Sequence, residues 1–384
     1  MKYINLVGYI SIVGAFVVHL FLGHGAAWEP GVTFLLAGLG VIPLAHLMGE
    51  ATEVLSAKAG PTWGGLLNAT FGNAAELIIA LIALSKGLNE IVKASLTGSV
   101  LGNLLLVGGA AMFAGGWKRQ QQRFNTKNAE TSLGLLAVAV ASMLIPAIFH
   151  FTAEQLHDVK IREHEVGVSI ATSVILIVVY VLGLLFTLRT HKHVLSSPPT
   201  FDEDTGREMH KHGPNWSVGF AVGMLLAASV GIGVVAELLV GSAESVAHKF
   251  GWSEVFIGVI LLAIIGNAAE HSTAIMCSLR DDMDTAMTIT FQSSLQIALF
   301  VTPFLVLVSA GMVSMGMGKA VQLDLVFTPM EVVAVILAVL TVVVVCLNGE
   351  TNWLEGAMLL ALYAILAVAF FYLPIPTGIV QAAH

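Results

Sequence analysis

Charge is scarce in this sequence: 25 acidic and 17 basic residues among 384 make 11%, where soluble domains carry roughly 25%. An ordinary soluble globule is excluded, because 57% hydrophobic residues and a mean hydropathy of +0.87 exceed what one core can hide from water. The few bases are dispersed and the formal net charge is −8, which rules out a nucleic-acid surface. Cysteine is nearly missing. Cys277 and Cys346 both stand inside apolar runs, where a small buried thiol is expected rather than a disulfide or a redox pair. Long polar stretches are lacking too, apart from Arg189 to Asn215 with Pro198, Pro199, Asp202, Glu203, Asp204 and Pro214, which is linker chemistry.

What the chain does have is apolar runs close to the ~20-residue length that crosses a hydrocarbon core. They fall at 5–25, 32–57, 64–85, 91–116, 131–151, 167–188, 217–247, 254–279, 285–314, 326–347 and 356–373. The fold class expected is an all-α integral membrane protein of about 11 transmembrane helices in a lipid bilayer. Alternating ten-residue strands of an outer-membrane barrel do not fit these runs. The first run has no small-residue cleavage pattern after it and reads as a retained helix. Lys and Arg divide eleven to six between the two sides. The richer side holds Lys2, Lys58, Lys118, Arg119, Arg123, Lys127, Arg189, Lys192, Arg207, Lys211 and Arg280, so the N-terminus and the linker are expected to be cytoplasmic.

An internal repeat organises the chain. Gly72-Asn73-Ala74-Ala75-Glu76 recurs as Gly266-Asn267-Ala268-Ala269-Glu270, and the match extends at an offset of 194 from Gly64 with Gly258 to Ser99 with Ser293. Upstream, Glu53 and Gly60 match Glu244 and Gly251 after a three-residue shift. The division expected is an extra helix at 1–30, a first five-helix repeat at 31–188, a linker at 189–216, a second repeat at 217–373 and a tail at 374–384. Five spans per unit invert the second copy in the membrane, the architecture of an alternating-access transporter.

A carboxylate inside an apolar span costs about 2.5–3.5 kcal/mol on insertion scales, so it pairs, protonates or holds a cation. Glu76 and Glu270 stand at the same place in the two copies, and inversion brings both to the pseudo-two-fold axis. Gly72 and Gly266 invite breaks that expose carbonyl oxygens, while Asn73 and Asn267 add amide oxygens. Such an all-oxygen site suits a hard cation of the calcium type. Two ionised Glu with one divalent cation are neutral, as are two protonated Glu without it, so protons compete with the metal. His271 beside Glu270 is a candidate proton acceptor or a packing residue. Ser99, Ser293 and Gln296 on the following helices are candidates for supporting oxygens or interhelical bonds. Glu53 and Glu244, and also Glu50 and Glu237, stand toward helix ends as vestibule acids or solvated ends.

These residues resemble the calcium/proton exchangers of the cation/calcium exchanger superfamily, whose two repeats carry Gly-Asn-x-x-Glu. The likeness extends over Gly64 to Phe71, Gly98 to Asn103, Glu270-His271, Ser293 to Gln296 and Asn352 to Gly356. The resemblance implies eleven helices, ion binding by Glu76 and Glu270 with oxygens of both signature turns, and proton-driven calcium transport without a cofactor. It also implies a gating role for the extra first helix. The long N-terminal extension of plant members does not stand before the first helix here, which favours a prokaryotic plasma membrane. Calcium ions and protons are the expected partners, and a homo-oligomer stays open. The linker carries His191-Lys192-His193 and His210-Lys211-His212 and reads as a solvated loop. The alternatives are a sodium-coupled exchanger on the same scaffold and a cation channel. An enzyme is not expected: His-Glu-x-x-His is absent and no Ser, His and acid stand as a triad.

Overall fold

The structure is a computed structural model, and it describes residues 2–22, 26, 28–156, 164–191, 214–316 and 321–373. The helices are α1 (Lys2–Val17), α2 (Glu29–Phe71), α3 (Ala74–Ser85), α4 (Asn89–Gly116), α5 (Thr126–Leu156) and α6 (Glu165–Leu185). Then follow α7 (Val218–Phe250), α8 (Glu254–Gly266), α9 (Ala268–Leu279), α10 (Met283–Ser314), α11 (Pro329–Cys346) and α12 (Trp353–Phe371). Two short strands, β1 (Gln122–Arg123) and β2 (Glu350–Thr351), pair antiparallel. The protein is therefore a helical membrane protein. Among the described residues eight helices are long and apolar enough to span a bilayer, or nine when the α8–α9 pair, bent by 60°, counts as one. The expected eleven is reached only by adding two shorter apolar helices, Asn5–Phe21 and Ala74–Ser85. The linker from 192 to 213 and the tail from 374 to 384 lie outside the described residues.

Local sequence explains five of the helix starts. Ser217, Ser253 and Asp282 cap α7, α8 and α10 through their side chains, and Thr328 with Glu331 and Asn352 with Glu355 close capping boxes on α11 and α12. The runs 32–57 and 64–85 part at Gly60, whose backbone is non-helical (φ 81°, ψ 172°) and divides α2 into two helical segments, and a further interruption falls at Gly72–Asn73. The second copy has a true turn, with Gly251 left-handed (φ 68°) and Ser253 capping the next helix. Gly64 follows Gly60 by four positions and Gly258 follows Gly251 by seven, so this turn accounts for the three-residue shift.

The copies run in opposite directions. Lys58 Nζ donates to the Trp216 carbonyl, which sets the kinked part of α2 beside the start of α7 on one face, called near. Gly31 lies against Phe250, which sets the start of α2 beside the end of α7 on the far face. The turn after α3 lies on the far face, where Asn89 donates to the Val321 and Gln322 carbonyls. The turn after α9 lies on the near face, where Gln122 donates to the Ser278 carbonyl and Asp281. These turns match in backbone as well: Gly87 (φ 78°) corresponds at offset 194 to Asp281 (φ 66°), the one non-glycine residue with positive φ among those described. Helices α1, α2 and α7 pack together, with Gly8 on Pro43, Gly40 on Ile12 and Gly231 on Leu44. The other helices form the body behind them.

Candidate functional site

Both signature turns interrupt their helices. Asn73 (φ −108°, ψ 31°) precedes α3 and Asn267 (φ −90°, ψ 7°) precedes α9. A helix that stops there leaves the carbonyls of its last turn without intrahelical partners. Glu76 and Glu270 occupy the first turns of α3 and α9, where the positive helix ends favour negative charge.

The structure brings the two carboxylates to the same place. Glu76 is buried (8% exposed) and lies on the opposite copy: a Cβ built at Gly266 would stand 3.4 Å from Glu76 Cγ and 3.5 Å from its Oε1. Glu76 and Glu270 are close enough to act on one another electrostatically, and Glu270 lies within hydrogen-bonding reach of Ser293. Glu270 Oε2 is buried with no hydrogen-bond partner among the described residues. Both glutamates line a cavity of about 1110 Å³ together with Gly72, Gly266, Ser293 and Gln296. Its mouth on the near face is flanked by Glu50, Glu53, Lys58, Asn215 and Arg280.

Behind this wall the copies exchange hydrogen bonds. Ser293 Oγ donates to Asn73 Oδ1 (2.8 Å), and Asn267 Nδ2 donates to Ser99 Oγ (3.0 Å), so each signature asparagine is held by the serine of the other copy. Asn73 Nδ2 also donates to Gln296 Oε1 (2.6 Å), and Asn267 Nδ2 to the Ala263 carbonyl (2.9 Å). Asn103, not expected as a site residue, donates to Ser293 Oγ (2.8 Å) and Asn267 Oδ1 (3.4 Å). The asparagines thus stand in the supporting layer, while the glutamates face the cavity. Asn103 lies in a π turn, Gly102–Val107, and a second π turn, Ile297–Val301, occupies the corresponding stretch of α10. Such turns widen a helix locally and often mark functional sites.

The remaining candidates separate. Glu53 lines the cavity, whereas Glu244 lies on the far face in a surface groove with Pro30, Ser245, His248 and Lys249. Glu50 lies 3.5 Å from His46 in the near mouth, and Glu237 pairs with Lys86 at 2.6 Å. His271 is half-buried and its Nε2 has no hydrogen-bond partner among the described residues. His191 stacks on Phe186 at 4.0 Å, and the other linker histidines lie outside the described residues.

The family described as Sodium/calcium exchanger protein matches residues 30–189 and 220–372, the two copies around the linker. The chain belongs to this family. It is 43% identical over 364 residues to the Ca(2+)/H(+) antiporter of Synechocystis sp., covering 92% of this chain and 94% of that protein. It is 44% identical to the Ca(2+)/H(+) antiporter ChaA of Bacillus subtilis, covering 95% and 99%. The solved structure of native YfkE, 39% identical, covers 96% of this chain and all of its own at a TM-score of 0.76. These relatives are transporters, and the family carries no cofactor in its description.

Proposed function

We propose that this family member is a secondary transporter that exchanges calcium for protons by alternating access. The observation that carries the reading is the meeting of Glu76 and Glu270, one from each opposed copy, on one cavity with a buried carboxylate oxygen unpartnered. The names of its Synechocystis and Bacillus relatives support the ion pair chosen.

Calcium enters from the cavity and is bound by both carboxylates. The carbonyls freed at Gly72 and Gly266 continue an all-oxygen set, as a hard divalent ion requires, and Asn73 and Asn267, expected from sequence as ligands, instead hold the turns because their amide oxygens accept from Ser293 and Asn103. Among the described residues no three His, Cys, Asp or Glu converge, so ligands beyond the two carboxylates come from backbone, amide and hydroxyl oxygens. Once calcium leaves, two apposed carboxylates in a low-dielectric pocket are unfavourable, and protons take its place. The neutral site then reorients. His271, next to Glu270 in the chain and with an Nε2 that has no hydrogen-bond partner among the described residues, relays protons to the pair. Ser99, Ser293 and Gln296 hold the signature turns in position, and Glu53 and Glu244 attract cations to the near and far mouths respectively.

In this reading the functional units are the extra helix to residue 30, the copies at 31–188 and 217–373, and a cytoplasmic linker at 189–216. The protein resides in a bacterial plasma membrane with its N-terminus and the near face cytoplasmic, so the cavity is open inward. Calcium flux into proteoliposomes, driven by an imposed pH gradient without sodium, is the test. Flux that follows the pH gradient supports the reading. Flux that requires a sodium gradient selects the sodium-coupled alternative, and flux with no counter-ion selects a channel.

A further inference from the structure

The inverted copies place one basic residue at matched positions, Lys86 after α3 and Arg280 after α9, at the offset of 194. Lys86 Nζ pairs with Glu237 of α7 at 2.6 Å and stands 3.3 Å from where a Cβ of Gly241 would lie. This contact joins the body to the α1–α2–α7 group on the closed far face. The offset of 191 that matches Glu53 with Glu244 also matches Gly40 with Gly231 and Ala45 with Ala236. By that register the counterparts of Glu237 and Gly241 are His46 and Glu50 of α2. The basic residue is thus kept while its acid moves one helical turn, from 237 to the place of 241.

On the near face the equivalent contact is open. Arg280, His46 and Glu50 all line the cavity, and the Arg280 guanidinium has no hydrogen bond or ion pair among the described residues. Among the described residues Glu50 meets only His46, at 3.5 Å, on its own helix.

We infer that Lys86–Glu237 and Arg280–Glu50 are two alternating latches: the first holds the far face shut in the state described, and the second forms when the near mouth closes. The inference rests on the alternating-access reading, but its test reads accessibility instead of flux.

Cys277 lines the near cavity and is a native reporter once Cys346 is replaced by Ser. Its counterpart at offset 194 is Ala83, 2% exposed here. Ala83→Cys, made in a Cys277→Ser/Cys346→Ser background, reports the far opening. Full-length protein in liposomes is alkylated with a membrane-impermeant maleimide applied to one face at a time. Lys86→Gln or Glu237→Gln should slow near-side labelling of Cys277 and speed far-side labelling of the Ala83→Cys thiol. Each change should be about two- to fivefold, the range of one solvent-screened ion pair, and should shrink at high salt. Arg280→Gln or Glu50→Gln should slow labelling of the Ala83→Cys thiol by a similar factor. Charge exchange, Lys86→Glu with Glu237→Lys or Arg280→Glu with Glu50→Arg, should restore the parental rates, which also excludes misfolding as the cause.

Labelling unmoved by the single variants, unrescued by exchange, or never seen for the Ala83→Cys thiol overturns the latches. If labelling shifts as expected in protein that carries no pH-driven calcium flux, the latches stand and the exchange reading fails. Normal flux with unmoved labelling has the reverse meaning.

Discussion

The near and far mouths are built from matching residues, yet one is open and the other shut. On the far side α4 crosses α8 so closely that a side chain at Gly98 would run into the Val259 backbone, and Lys86 is tied to Glu237. On the near side Gln292 and Gly65, the counterparts of Gly98 and Val259, line the cavity, as do Arg280, the counterpart of Lys86, and Glu50 one helical turn from the place of Glu237. Since the copies share their signature, their breaks and their turn geometry, the difference is one of conformation. A protein made of two opposed similar halves can exchange these roles, and that exchange is what alternating access requires.

The strongest blow to this comparison is removal of what the copies share. Glu76→Gln or Glu270→Gln should each reduce pH-driven calcium uptake to background in proteoliposomes, because either leaves one carboxylate for a divalent ion. Next comes Gly98→Ala. It wedges a methyl against the backbone of α8, and thermal unfolding in detergent should reveal a loss of about 1–3 kcal/mol. The hydrogen-bond layer sharpens the contrast between copies. Ser293 bonds Asn103 and Asn73 and faces Glu270, whereas Ser99 accepts from Asn267. Ser293→Ala should therefore lower uptake more than Ser99→Ala, by roughly tenfold if about 1.4 kcal/mol of positioning is lost. The two glycine hinges differ as well, and one of them gives the smallest effect. Gly60 holds a backbone region essentially reserved for glycine, so Gly60→Asn should cost about 1–3 kcal/mol, while Gly251 is left-handed and Gly251→Asn should be nearly neutral by the same unfolding measurement.

Much of this architecture was legible in the residues themselves. The verbatim Gly-Asn-Ala-Ala-Glu pair located both helix breaks, and opposed copies carried Glu76 and Glu270 to one cavity. The shift between Gly60 and Gly251 anticipated a longer turn in the second copy. Asn103 was harder to see, because its partners Asn267 and Ser293 lie 164 and 190 residues away, and a lone asparagine in an apolar run carries no local signal. The π turns at Gly102–Val107 and Ile297–Val301 are likewise set by packing and not by propensity. Lys86 and Arg280 stand within the matched stretch, but Glu237 and Glu50 lie on α7 and α2, outside the offset that aligns the bases. Which mouth is open is a property of the state, and no residue pattern encodes it.

The central claim is that one pocket, shared by Glu76 and Glu270, takes either calcium or protons. Proton release on adding calcium to purified protein in weakly buffered detergent solution tests it most directly, since bound carboxylates must give up their protons. The account predicts release in the parental protein that grows as the starting pH is lowered until protons outcompete the metal, and its loss in both Glu76→Gln and Glu270→Gln. Undiminished release in either variant would contradict it.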